Sequence, residues 1–363
     1  MKFGKIIIYS IIFLVALSVS RSFVSVNFSD NSINSSVYEN LYNTKKSLHS
    51  NPRQCGNSND LSDRHQLRKS FWKVKMKIYD TSKAYFGYTG VAAAFYLLHA
   101  LAVSITFYFI CQIKIQMLNS LNRTNDNKHS LSSSNIALIS VSAIIFLAFF
   151  SYVFNGQVGE YSYSIFEALF VSMGLYSALK RNILLFIIVT SLAVLNRESG
   201  FLLIVIWLII NGIDFNKFYR NIYLVVPVLV FFVMNADIVH CLANDRFLVS
   251  SGPLPGQLTF HVFFEGTWGV IRGAVALMFN YGLFIVPMLL AYRFFTSLLS
   301  LSDRVIFNKM FAIVGIYIIV FLVATPLNHM SVKFVISPLF VPLFSLYILG
   351  IIQQNNIRLF DIK

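Results

Sequence analysis

Asn196-Arg197-Glu198 sits between two strongly apolar runs, 183–195 and 201–210. A charged pair in sequence of that kind is expensive unless it turns at a membrane surface or joins a buried polar site. Glu167 lies in the preceding apolar run, two helical turns beyond Glu160 and on the same face. A carboxylate at that depth must pair or face a cavity, and Arg197 is the partner the spacing offers. Arg197 and Glu198 are adjacent and cannot share a helical face, so each needs its own partner. Asp30 follows Asn27-Phe28-Ser29, Glu265 and Trp268 precede Arg272 by about two turns and one, and His329 and Lys333 bracket the start of a late apolar run. Each has a plain reading as well. Glu160 suits the first turn of a helix, Trp268 suits an interface anchor, Lys333 can snorkel, and a Glu167–Arg197 pair can be architectural. As a set they fit glycosyl transfer from a lipid-linked phosphate donor. An acid takes the proton of an acceptor hydroxyl, cations steady the departing phosphate, and tyrosine and tryptophan stack on the sugar.

The elements that would hold these residues are transmembrane helices. The 363 residues are 56% apolar and 12% charged, about half the charged share of a soluble domain. Ten apolar runs read as spans, at 6–22, 90–111, 134–154, 162–179, 182–195, 200–212, 221–238, 279–297, 309–326 and 332–352. The first lacks a clear small-x-small cleavage site and reads as an uncleaved helix, not a signal peptide. The fifth and sixth are short and read as half-length or tilted helices meeting at Asn196–Glu198, a break tolerated only inside protein or beside a wet cavity. Lys114, Arg123 and Lys128, Lys180 and Arg181, Lys217 and Arg220, and Arg293, Arg304 and Lys309 then fall in loops on one side. That side is cytoplasmic, with both termini, by the bias of short loops. Asn196–Glu198 and the other unusual polar residues fall on the outer side.

The net charge of +14 belongs to helix ends facing anionic headgroups and not to nucleic-acid binding. Residues 64–83 interleave bases with Leu67, Phe71, Trp72 and Tyr79, as an interfacial helix would. Cys55, Cys111 and Cys241 have no metal or redox spacing. Cys111 falls in a helix, and a Cys55–Cys241 disulfide would require both loops outside.

The stretch from Gly159 to Gly212 resembles bacterial membrane proteins of the GT-C glycosyltransferase type. It carries Gly159-Glu160-Tyr161-Ser162-Tyr163, Glu167, the Lys180-Arg181 turn and Leu195-Asn196-Arg197-Glu198-Ser199-Gly200-Phe201. The resemblance covers about fifty residues of motif; beyond them it rests on hydropathy. It implies a catalytic acid in the first outer loop, where Asp30 stands, followed by Tyr38 or Glu39. Asp30 is flanked by Ser29 and Asn31, with no second acid. His329 and Lys333 stand where relatives often carry an acid and an arginine.

The expectation is therefore an all-α, polytopic transmembrane bundle of about ten spans, GT-C-like, with a long first extracytoplasmic loop. Residues 1–363 form one integral membrane domain, with extracytoplasmic loops at 21–89 and 239–278. The expected function is transfer of a sugar from a polyprenyl-phosphate-linked donor to a glycan, lipid or protein acceptor of the cell envelope, outside a bacterial cytoplasmic membrane. Asp30 is the candidate catalytic residue. Tyr38, Glu160, Glu167, Asn196, Arg197, Glu198, Glu265, Trp268, His329 and Lys333 are the substrate-binding candidates. The partners are the lipid-linked sugar, the acceptor and membrane lipids. No motif demands a cofactor or a metal, and a divalent ion is left open. The alternatives are a surface-polysaccharide polymerase or ligase using Arg246 and Arg272, a transporter or flippase, which predicts pseudo-symmetric halves, and a non-catalytic scaffold.

Overall fold

The computed structural model describes residues 2–28, 69–122, 138–148, 162–212, 221–234, 236, 266–278, 283–299, 301, 304–324 and 331–354. Among these residues the regular structure is all helical. The helices are α1 (Lys2–Phe28), α2 (Lys69–Asn122) and α3 (Leu138–Ala148). Next come α4 (Ser162–Leu179), α5 (Ile183–Asn196), a 3-10 turn at Glu198–Phe201, and α6 (Leu202–Asn211). α7 (Val225–Met234), α8 (Thr267–Leu277), α9 (Leu283–Leu298), α10 (Arg304–Ala324) and α11 (Ser331–Gln354) complete the set.

The expected count of about ten spans is overturned. Among the described residues, four helical stretches are long and apolar enough to cross a bilayer: Phe3–Ser20, Thr89–Asn119, Arg304–Phe321 and Val335–Ile352. The other apolar helical stretches, such as Ile165–Leu179 of α4, have 10–17 residues. At about 1.5 Å per residue these reach roughly 15–25 Å, short of the ~30 Å hydrocarbon core. Apolar composition alone does not reveal where a helix stops, so short helices and spanning helices read alike in the sequence. Among the described residues a loop arrangement of the GT-C type is also not discernible. α1 continues to Phe28, the next described helix opens at Lys69, and α2 kinks at Gly87 (φ 63°) before entering the bundle. The chain is a multi-pass, helical membrane protein.

Its surface supports that conclusion. Leu184, Ile188 and Leu192 of α5 are exposed at one-turn spacing, while Phe186, Val189, Thr190 and Ala193 face inward. Phe3, Ile6, Ile7, Ile11 and Leu14 of α1 are exposed as well. Apolar surface of this extent marks contact with lipid.

Inside, close packing holds the helices, because lipid tails remove most of the hydrophobic drive between them. α1 meets α2 through Tyr9 and Phe107, whose ring centroids lie 5.7 Å apart. α2 and α4 run parallel, with His99 against Phe166 and Phe109 against Tyr176 ten residues further along both. α11 packs on α4, α2, α9 and α10, and Val335 to Val341 are all buried.

One end of the bundle is basic. The Lys180–Arg181 turn links α4 to α5, and Asn182 caps α5 by accepting the Leu185 N–H at 3.1 Å. α6 ends beside that turn, where Asn211 Nδ2 donates to the Ala178 carbonyl at 3.2 Å. Lys309 Nζ donates to the last-turn carbonyl of Ile210 at 2.6 Å, a favourable place for a cation at the negative end of a helix. Lys114 is a correction to the sequence reading, which put it in a loop. It is fully buried in α2 and donates to Leu138 O and Ser142 Oγ of α3. The apolar run ends near Cys111, but the helix carries on to Asn122.

Candidate functional site

Glu167, Asn196 and Arg197, singled out in the sequence, converge at the turn between α5 and α6. α5 ends at Asn196, and Arg197 adopts extended backbone (φ −160°, ψ 145°). The Arg197 N–H still donates to Ala193 O at 2.8 Å, and Gly200 N donates to Arg197 O at 2.9 Å. The chain then doubles back through the 3-10 turn into α6. Gly200 makes the reversal possible, since a Cβ there would lie 2.5 Å from the Ala193 carbonyl carbon and the Val194 nitrogen. Those are backbone atoms and cannot swing aside.

The reversal turns Arg197 toward α4. Its Nη1 donates to Glu167 Oε2 at 2.8 Å, forming the pair expected from the sequence. Ser199 Oγ donates to Glu167 Oε1, so one turn supplies donors to both carboxylate oxygens. The guanidinium carbon stands 5.8 Å from the centre of the Phe321 ring on α10, within cation–π range. Glu167 is 2% exposed and the Arg197 side chain 11%, so the cluster is an ion pair withdrawn from lipid and nearly closed off. Asn196 is buried beside it in sequence.

Tyr317 and His99 join the same level of the bundle. Tyr317, one turn before Phe321, is fully buried, and its ring centroid lies 5.9 Å from that of Phe321. Its hydroxyl has no hydrogen-bond partner among the described residues. His99 is buried on α2 with its ring between Phe95 and Phe166. The rise along each helix puts these groups at a common depth. From the basic end, Arg197 lies about 21 Å up α5, Glu167 about 18 Å up α4 and Tyr317 about 20 Å up α10.

The structure does not gather every candidate here. Trp268 lies on α8, not in a loop, and is 73% exposed. Arg272 is exposed on the same helix. Glu198 opens the 3-10 turn, and Lys333 lies in the first turn of α11. Asp30, Tyr38, Glu160, Glu265 and His329 lie outside the described residues, as do Cys55, Cys241 and Arg246. Sequence reasoning passed over Ser199, His99, Tyr317 and Phe321. His99 did carry a signal, being an ionisable group inside an apolar run. Tyr317 and Phe321 carried none, because aromatic residues are ordinary in such helices. Among the described residues no group of three His, Cys, Asp or Glu could hold a metal ion.

No protein-family model, no curated protein and no solved structure matches this chain.

Proposed function

We propose that this chain is a membrane glycosyltransferase that moves a sugar from a polyprenyl-phosphate-linked donor to a cell-envelope acceptor. The observation that carries the reading is the Glu167–Arg197–Ser199 cluster, a hydrogen-bonding site held inside an apolar helical bundle. A substrate with a lipid tail reaches such a site from the membrane, with its tail between helices and its head at the polar level. On this reading the basic end faces the cytoplasm of a bacterium. The cluster then lies about 20 Å up a core of about 30 Å, toward the extracytoplasmic side.

The chemistry is a single displacement. The acceptor hydroxyl oxygen attacks the anomeric carbon, and the bond from that carbon to the phosphate oxygen breaks. Polyprenyl phosphate leaves with the electron pair, and a carboxylate takes the hydroxyl proton. Asp30 is the base assigned by the resemblance to GT-C enzymes, and Lys333 is a cation assigned to the departing phosphate. Membrane vesicles holding the full chain, supplied with radiolabelled polyprenyl-phosphate sugars, should transfer label to endogenous envelope acceptors. Asp30→Asn should lower that transfer by at least ~100-fold, as removal of a general base does, while leaving donor binding in place. Full transfer by the variant would exclude Asp30 as the base.

A second reading, transport of a lipid-linked sugar, is favoured by one feature: two short helices meeting at a buried polar turn. The same vesicles separate the two, since a flippase moves the labelled lipid to the other leaflet without changing its covalent structure.

A further inference from the structure

The Glu167–Arg197 pair is electrically neutral as a unit, which bears on what it can bind. A phosphate brought against it would add an uncompensated negative charge in a water-poor interior beside a carboxylate, an unfavourable arrangement. A neutral ligand rich in hydroxyls meets no such penalty. The carboxylate has acceptor capacity beyond the two donors it already receives, because an ionised carboxyl offers about four lone-pair sites. The guanidinium supplies donors in a fixed plane. Tyr317 adds a hydroxyl that can donate and accept.

The Tyr317 hydroxyl points to the same class of ligand. Tyr317 is fully buried, its hydroxyl has no partner among the described residues, and its ring centroid lies 5.9 Å from that of Phe321, the ring that Arg197 faces. Packing does not require it, since phenylalanine has the same ring and would fill the same space without burying an unmet polar atom. Phe321, one turn further along α10, presents its face to Arg197 and adds aromatic surface to the polar groups. Carboxylate, guanidinium, phenol and aromatic surface together match the alternating hydroxyls and C–H faces of a sugar ring.

We propose that Glu167, Arg197 and Tyr317 form a sugar-hydroxyl subsite inside the membrane, with the Tyr317 hydroxyl bonding the bound sugar. The proposal rests on the glycosyl-transfer reading for the form in which the sugar arrives, and it places the phosphate elsewhere.

The test uses the full chain in lipid nanodiscs and measures binding by native mass spectrometry. The probes are bare polyprenyl phosphate, polyprenyl phosphate linked to glucose, galactose, mannose or N-acetylglucosamine, and the four free sugars. At least one lipid-linked sugar should bind more tightly than bare polyprenyl phosphate. Tyr317→Phe should weaken that ligand about 3- to 10-fold, the effect of one hydrogen bond, and leave bare polyprenyl phosphate unchanged. Tighter binding of a free sugar that is equally sensitive to Tyr317→Phe would also support the subsite, with an unlinked sugar as its source. Equal binding of linked and bare lipid, with no free sugar bound, would overturn the proposal. So would a Tyr317→Phe variant that binds sugars normally, weakens both lipids equally, or fails to fold, the last because the hydroxyl would then be structural. Sugar binding that depends on Tyr317 without any transfer to an acceptor would uphold the subsite and refute the glycosyltransferase reading.

Discussion

At the residue scale the fold depends on how Arg197 is compensated. An arginine in a membrane bundle is tolerated when its charge and its hydrogen bonds are met, and here Glu167 meets the charge. Removing one partner leaves the other buried and uncompensated, which costs about 3–5 kcal/mol. Arg197→Met and Glu167→Leu should each lower thermal stability in detergent by that order. The double variant should recover most of the loss, because replacing a whole buried pair by apolar residues is often close to neutral. A double variant less stable than both single variants would show that the two residues act through other partners. The pairing itself was legible in the sequence, since a carboxylate and a guanidinium in adjoining apolar runs each needed a counter-charge. Tyr317 was not legible, because nothing in an apolar helix distinguishes a buried tyrosine hydroxyl from one that reaches the interface. Lys114 was misplaced for a related reason: its position just past an apolar run looks like a loop, and only the length of α2 reveals that it is inside.

At the element scale the short helical hairpin of α5 and α6 positions the site. Its turn exists because Gly200 lets two backbones approach more closely than a side chain allows. Gly200→Ala should force Ala193 and Val194 apart and misplace Arg197, with a loss of about 1–3 kcal/mol, the usual cost of overpacking. Gly174→Ala is the control. Its Cβ would meet Leu203 Cδ2 at 2.8 Å, and that is the end of a flexible side chain, so the loss there should be smaller. Thermal unfolding of the two variants side by side checks the ranking, and an equal or reversed order would contradict this account of the turn. Hydropathy located the Asn196–Glu198 break correctly, because polar residues interrupt the apolar runs there. It overcounted the spans, because a 14-residue helix such as α5 is at least as apolar as a spanning helix such as α11. Length, set by where the backbone turns, decides between them.

At the scale of the whole molecule, the bundle separates a basic end from a buried polar level about 20 Å above it. Lys180, Arg181 and Lys309 gather at the first, through the α4–α5 turn and the end of α6. Glu167, Arg197, Ser199 and Tyr317 gather at the second, drawn from α4, the α5–α6 turn and α10. A lipid-linked substrate has the same division, a long apolar tail carrying a polar head. The most direct test of the account is a structure of the full chain in lipid bound to a polyprenyl-phosphate-linked sugar. The sugar should lie within hydrogen-bonding distance of Glu167, Arg197 and Tyr317, with the polyprenyl tail between helices. A sugar held elsewhere, with Arg197 still closed on Glu167 and no ligand at Tyr317, would contradict it.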